Sequence, residues 1–66
     1  MNTLVYIGML PQDKQTAIRT AVYNYLQDTE ATEEAMNGRI EDLIDYTTPE
    51  QIKLTEAIYQ IIERRF

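Results

Sequence analysis

The helical class of this 66-residue chain is clearest in residues 48–66, TPEQIKLTEAIYQIIERRF. Thr48 is a good helix N-cap, Pro49 suits the first helical position, and Gln51 completes a T-x-x-Q capping box. Apolar residues then recur at helical spacing. The sequence therefore predicts a helix over residues 49–65.

The apolar face of this helix is unusually wide. It covers about 220° of the helix surface, whereas a helix that packs on one side needs only a stripe of ~100° or more. We therefore expect the helix to contact neighbours on two sides, either within the chain or in a second copy. The apolar positions are Ile52, Leu54, Ala57, Ile58, Tyr59, Ile61, Ile62 and Phe66.

A second helix is predicted upstream, over residues 11–28. Pro11 can begin it, because the N–H group that proline lacks would have no partner in the first helical turn. A single apolar stripe follows at spacings of three and four. Its members are Ile18, Ala21, Val22, Tyr25 and Leu26.

Between these two, an acidic helix is predicted over residues 29–46, with Asp28, Thr29 or Thr32 as its cap. Its apolar positions are Met36, Ile40, Leu43 and Ile44. Asn37 and Gly38 interrupt the pattern, and glycine inside a helix costs about 1 kcal/mol relative to alanine. Two interpretations remain: a continuous helix through Gly38, or a break followed by a shorter helix from Arg39 to Tyr46.

Residues 1–10 form an arm before the first helix. Residues 3–7 favour a strand by residue type, but no second segment alternates like one. We expect an extended arm or one helical turn that packs Leu4, Tyr6 or Ile7 onto the bundle. Pairing of two such arms across a dimer is the alternative.

Together these patterns predict an all-α fold, a small three-helix bundle with a short N-terminal arm, built as a single domain over residues 1–66. A chain this short has one core at most. The predicted core consists of Ile18, Val22, Tyr25, Leu26, Met36, Ile40, Leu43, Ile44, Ile58, Ile61 and Ile62.

Charge is segregated along the chain. The block from Asp28 to Glu50 holds eight carboxylates and one base, Arg39, and so carries a net charge of -7; the remainder carries +2, which gives -5 overall. The negative electrostatic potential of such a block steers cationic partners toward one side of a molecule and opposes direct binding of a phosphate backbone. We expect no direct binding of nucleic acid.

Composition also argues against catalysis and cofactors. The chain has no His, Cys or Ser, so it lacks the commonest general base, the strongest common nucleophile and the usual transition-metal ligands. Glu41, Asp42 and Asp45 could share one helical face, but a solvated face explains them better than a metal site. We expect no enzyme activity, no metal and no cofactor. A signal peptide and a membrane span are not expected either. The absence of Cys fits a reducing interior, so we expect a cytoplasmic protein.

The residues expected to bind a partner are four carboxylates and one aromatic side chain. Tyr23 lies off the apolar stripe of its helix, and exposed tyrosine is frequent in protein interfaces. The carboxylates are Glu34, Glu41, Asp42 and Asp45. Their expected partner is a protein with a basic surface.

Two functions follow from these expectations. The first is a non-catalytic protein-binding module, in particular an inhibitor whose acidic face imitates nucleic acid and fills the basic groove of a nucleic-acid enzyme. Antirestriction and anti-CRISPR proteins work in this general manner, and the analogy is one of charge and size alone. A phage or mobile-element source would favour it. The alternative is a self-associating structural or regulatory protein, dimeric through the third helix and the arm.

Overall fold

A computed structural model of the chain describes residues 6–63, and within them it contains three α-helices. The predicted all-α three-helix bundle is confirmed. No helix in this part of the chain is both long and apolar enough to span a membrane. The helices are α1 (Gln12–Leu26), α2 (Thr29–Met36) and α3 (Pro49–Glu63), and 3₁₀ turns lie at Ile7–Met9 and Ile40–Leu43.

A tight turn joins α1 to α2. Gln27 ends α1 in the left-handed region, with φ of 57°, and its N–H group donates to the Tyr23 carbonyl at 2.7 Å. Asp28 then caps α2, because its Oδ1 atom accepts from the Ala31 N–H group at 3.0 Å. The two caps lie on adjacent residues, so the chain reverses direction within this turn.

The ends of α1 and α3 show that the two helices are antiparallel. At one end, the Lys14 ammonium group donates to the Ile62 carbonyl in the last turn of α3, where a cation complements the helix dipole. At the other end, Tyr25 and Lys53 line the same groove. The predicted Thr48 cap of α3 is confirmed, since its Oγ1 atom accepts from the Gln51 N–H group at 3.2 Å. Residues 64–66, which include the predicted end of the helix at Arg65, lie outside the described part.

The core contains much of the predicted set, with two errors. Ile18, Val22 and Ile58 are fully buried. Tyr25 and Leu26, predicted in the core, are both 39% exposed. They lie in the last turn of α1, beyond the part of the stripe that the neighbouring helices cover. The other buried apolar residues are Ile7, Met36, Leu54 and Ile61, and the predicted Ile40, Leu43, Ile44 and Ile62 are partly buried against this core.

The wide apolar face of α3 is covered in part within the chain itself, although Tyr59 on that face is exposed. Leu54 and Ile61, on its second side, are 6% and 9% exposed. Thr55 is fully buried, and its hydroxyl group bonds the backbone of Asp45. Neighbours within the chain therefore account for the buried part of this face.

The prediction of a continuous acidic helix over residues 29–46 is wrong. α2 ends at Met36, and Arg39 is extended, with φ of -99° and ψ of 155°. In a continuous helix the Gly38 carbonyl would accept from Asp42, but it accepts from the Ile7 N–H group instead, at 3.1 Å. The predicted alternative of a break is closer, although the turn after it is a 3₁₀ helix of four residues rather than a helix from Arg39 to Tyr46.

The described part of the arm, residues 6–10, contains one 3₁₀ turn, which is one of the two predicted forms. Ile7 opens that 3₁₀ turn and is fully buried, while Tyr6 forms an isolated antiparallel bridge with Arg39. Pairing of two arms across a dimer, the alternative, stays a prediction. Leu4 lies outside the described residues.

Candidate functional site

Four carboxylates line one open cleft on the acidic side of the bundle. The cleft has a volume of about 540 Å³ and lies between α2 and the 3₁₀ turn that follows it. Its lining residues are Asp28, Glu30, Ala31, Glu34, Ala35, Gly38, Asp42 and Leu43. We call this feature the acidic cleft. No basic residue of the described chain is among those lining it.

The helical repeat of α2 places most of this lining. Glu30 and Glu34 are four residues apart, so both project from one face of the helix. Ala31 and Ala35 repeat at the same spacing beside them and leave the floor of the cleft shallow and apolar. Both glutamates are exposed. The cleft thus combines a negative rim with a floor of small side chains.

Asp42 closes the other side of the acidic cleft. Its Oδ2 atom accepts from the Arg39 N–H group at 3.1 Å, which fixes the carboxylate at the start of the 3₁₀ turn. The same atom lies so close to Gly38 that a Cβ atom at that position would be 3.2 Å from it. A small residue at Gly38 therefore lets Asp42 lie against the backbone.

Arg39 neutralises part of the predicted charged surface. Its Nη1 atom is 3.4 Å from the Glu41 carboxylate, and its Nε atom is 4.0 Å from Asp42. All three side chains are more than one third exposed, so solvent screens these pairs and each contributes little to stability. Glu41 does not line the acidic cleft and faces this arginine instead.

Asp45 has a structural role within the chain. Its Oδ1 atom accepts from the Thr47 N–H group at 2.8 Å, just before α3 begins. Hydrogen bonds from the hydroxyl and N–H groups of Thr47, and from the side chain of Gln51, lower the pKa of Asp45 below its usual value of 3.8. The carboxylate is thus engaged in a turn and lies apart from the acidic cleft.

Tyr23 lies in a different depression, between α1 and α2. That surface also contains Arg19 and Glu33, whose Nε and Oε2 atoms are 2.9 Å apart. Tyr23 is 42% exposed, which agrees with its predicted position off the apolar stripe. It does not share the acidic cleft with the carboxylates, so the five predicted residues do not form one site.

Of the predicted partner-binding residues, Glu34 and Asp42 are brought together in one cleft. Asp28 and Glu30 join them and were missed as candidates. The signal for Glu30 is its spacing of four from Glu34, and the signal for Asp28 is its place as the cap of the same helix. In residues 6–63, no three acidic side chains are arranged to hold a metal ion.

All five tyrosines of the chain are exposed. Tyr25 and Tyr59, expected on apolar faces, are 39% and 42% exposed. The exposed fraction of each of the other three, Tyr6, Tyr23 and Tyr46, is at least 42%. Tyrosine combines apolar area with a hydroxyl group and loses little conformational entropy when it is bound. The bundle therefore presents aromatic side chains as well as carboxylates to solvent.

No protein-family model, no curated protein and no solved structure matches this chain. Function must therefore be argued from the site itself.

Proposed function

We propose that this chain is a non-catalytic protein-binding module that presents its acidic cleft to a basic surface of a larger protein. The observation that supports this most is the grouping of Asp28, Glu30, Glu34 and Asp42 around one open cleft with an apolar floor. Negative potential concentrated in this way favours encounter with a cationic surface. The absence of His, Cys and Ser from the sequence supports binding over catalysis.

We further propose that the partner is a nucleic-acid enzyme, whose basic groove the cleft fills in place of its substrate. In this proposal the chain acts in the cytoplasm, and a phage or another mobile element is its expected source. The alternative, self-association through α3 and the arm, has less support. Leu54 and Ile61 are buried within the chain, and Tyr6 already bridges Arg39.

The test uses two variants with the same net charge. The cleft variant carries Glu30→Gln, Glu34→Gln and Asp42→Asn, and the control variant carries Asp13→Asn, Glu56→Gln and Glu63→Gln. Each change removes one exposed carboxylate and keeps the size of the side chain. The two variants therefore lose the same charge at different places, and the cleft variant also loses the weak, exposed ion pair between Asp42 and Arg39.

The wild type and the two variants are each immobilised and exposed at low salt to a cell extract of the host organism. The captured proteins are then identified by mass spectrometry. We expect the cleft variant to lose at least about tenfold in capture of a basic nucleic-acid enzyme, and the control variant to keep it, with binding that weakens as salt rises. Added wild-type chain should also displace DNA or RNA from the captured enzyme. Equal capture by both variants would contradict the acidic cleft as the binding surface, and undisturbed nucleic-acid binding would contradict the inhibitory mechanism.

A further inference from the structure

Residues 37–45, here called the acidic segment, are attached to the bundle at two ends. At the first end the arm, residues 6–10, holds them. The Ile7 N–H group donates to the Gly38 carbonyl at 3.1 Å, and Tyr6 pairs with Arg39 in the isolated bridge. This attachment joins residues about thirty positions apart in sequence, and the fully buried side chain of Ile7 anchors it.

At the second end the main attachment is one buried side chain of α3, Thr55. The Thr55 Oγ1 atom accepts from the Asp45 N–H group at 2.9 Å and donates to the Asp45 carbonyl at 2.9 Å. Thr55 is fully buried, so these bonds are shielded from water. The acidic segment is thus fastened by the arm at its start and by Thr55 at its end.

Between these two points the acidic segment has little structure of its own. Its internal backbone bonds are of the 3₁₀ type, from Asp42 to Arg39 at 3.0 Å and from Ile44 to Glu41 at 3.2 Å. This geometry is weaker than that of an α-helix. The apolar side chains of the segment are only half-buried. Few buried contacts and short hydrogen-bonded runs are typical of regions that open locally.

The arm is fastened to α1 by a second set of bonds. The Gln15 side-chain amide donates to the Gly8 carbonyl at 3.1 Å and to the Leu10 carbonyl at 2.8 Å. These bonds are partly open to solvent, so burial of Ile7 supplies most of the hold. Loss of that burial would free the arm and, with it, the first attachment of the acidic segment.

We infer that the arm and the acidic segment form one local unfolding unit, which opens together while α1 and α3 remain packed. Docking of the arm then decides whether Asp42 stays against Gly38 and Arg39. The arm is thus a conformational device that holds one wall of the acidic cleft in place. This inference concerns the chain alone and does not depend on the proposed function.

Hydrogen exchange of the native protein, followed by NMR, tests the inference with two variants. Ile7→Val loosens the arm. Val22→Ala removes buried volume from α1 about 10 Å along the helix from Gln15, the residue whose side chain bonds the arm. Both side chains are fully buried in the wild type. The reporting amides are those of Asp42 and Ile44, compared with the slowest amides of α1 and α3.

We expect Ile7→Val to speed exchange at Asp42 and Ile44 by about 2- to 12-fold, because it weakens the unit that must open. Val22→Ala should speed the slowest amides of α1 and α3 and leave Asp42 and Ile44 unchanged. If Val22→Ala speeds all of these amides equally, the chain opens as one body and the inference fails. It also fails if Ile7→Val leaves Asp42 and Ile44 unchanged.

Discussion

α1 and α3 lie against each other through side chains that are almost fully buried, whereas the acidic segment is held by hydrogen bonds at its two ends and by apolar side chains that are only partly buried. In the helix pair, Ile18, Val22 and Ile58 are completely shielded from solvent. In the acidic segment, Ile40, Leu43 and Ile44 are only partly shielded. The two regions therefore differ in how completely their apolar side chains are buried as well as in charge.

The difference shows that surface charge and core packing compete for positions in a chain of this size. α2 has eight residues, of which three are glutamates and only Thr32 and Met36 are buried. Each carboxylate kept in water is a position that cannot bury apolar area, and burial is the dominant stabilising term in folding. The acidic side therefore depends on the helix pair and on the arm for its shape.

The largest expected effect on the free energy of unfolding comes from truncating one isoleucine in the helix pair, and the same change in the acidic segment serves as its comparison. Ile18→Ala should lower the free energy of unfolding by about 2–5 kcal/mol, because it leaves a cavity in a fully packed site. Ile40→Ala should cost about 1–2 kcal/mol, because that side chain already touches water. Urea denaturation of both variants measures the two values. Equal losses would show that the acidic segment is packed as firmly as the helix pair.

An intermediate effect is expected where the two regions join. Thr55→Val keeps the shape of the side chain but leaves the Asp45 N–H group without its partner, so it should cost about 1–3 kcal/mol. Thr16→Val is the matched control, since the Thr16 hydroxyl group is exposed and bonds only within α1. The same denaturation experiment gives both values. If Thr55→Val leaves the free energy of unfolding unchanged, the hydrogen bonds of Thr55 do not fasten the acidic segment.

The sequence was sufficient to predict the helix pair because its signals are local. Thr48 and Pro49 mark the start of α3, and the spacing of Ile18 and Val22 identifies the buried face of α1. Tyr25 continues that spacing, yet it is exposed. The stripe defines which side of the helix faces the core. How much of its length is covered near Tyr25 depends on where α2 and α3 begin.

The break after α2 could not be predicted in the same way. Gly38 weakens a helix at that point, but the partner that its carbonyl takes after the break is the Ile7 N–H group, which no local pattern records. The lining of the acidic cleft was predicted only in part, because the break after α2 also decides which carboxylates lie together. Glu34 and Asp42 meet across the break, whereas the position of Asp45 after the 3₁₀ turn separates it from them. The prediction that these carboxylates share one helical face assumed a continuous helix, and α2 ends at Met36.

The smallest effect concerns Asp45, whose carboxylate stabilises the turn that leads into α3. Hydrogen bonds from Thr47 hold its pKa below 3.8 in the folded protein, so its contribution to stability is complete well above that value. The contribution is lost as the pH falls through 3.8 toward the lower pKa of the folded state. The difference in stability between wild type and Asp45→Asn should therefore be largest near pH 7 and shrink below about pH 5.

Urea denaturation at a series of pH values measures this difference, and NMR titration of the Asp45 carboxyl group gives its pKa directly. Thr47→Val removes the hydroxyl donor and keeps the backbone one, so it should move the pKa of Asp45 part of the way back toward 3.8. A difference that stays constant with pH would mean that the charge of Asp45 does not stabilise the fold. The residue would then belong with the solvated carboxylates of the acidic cleft, and the hydrogen bonds of its backbone to Thr55 would alone account for the second attachment.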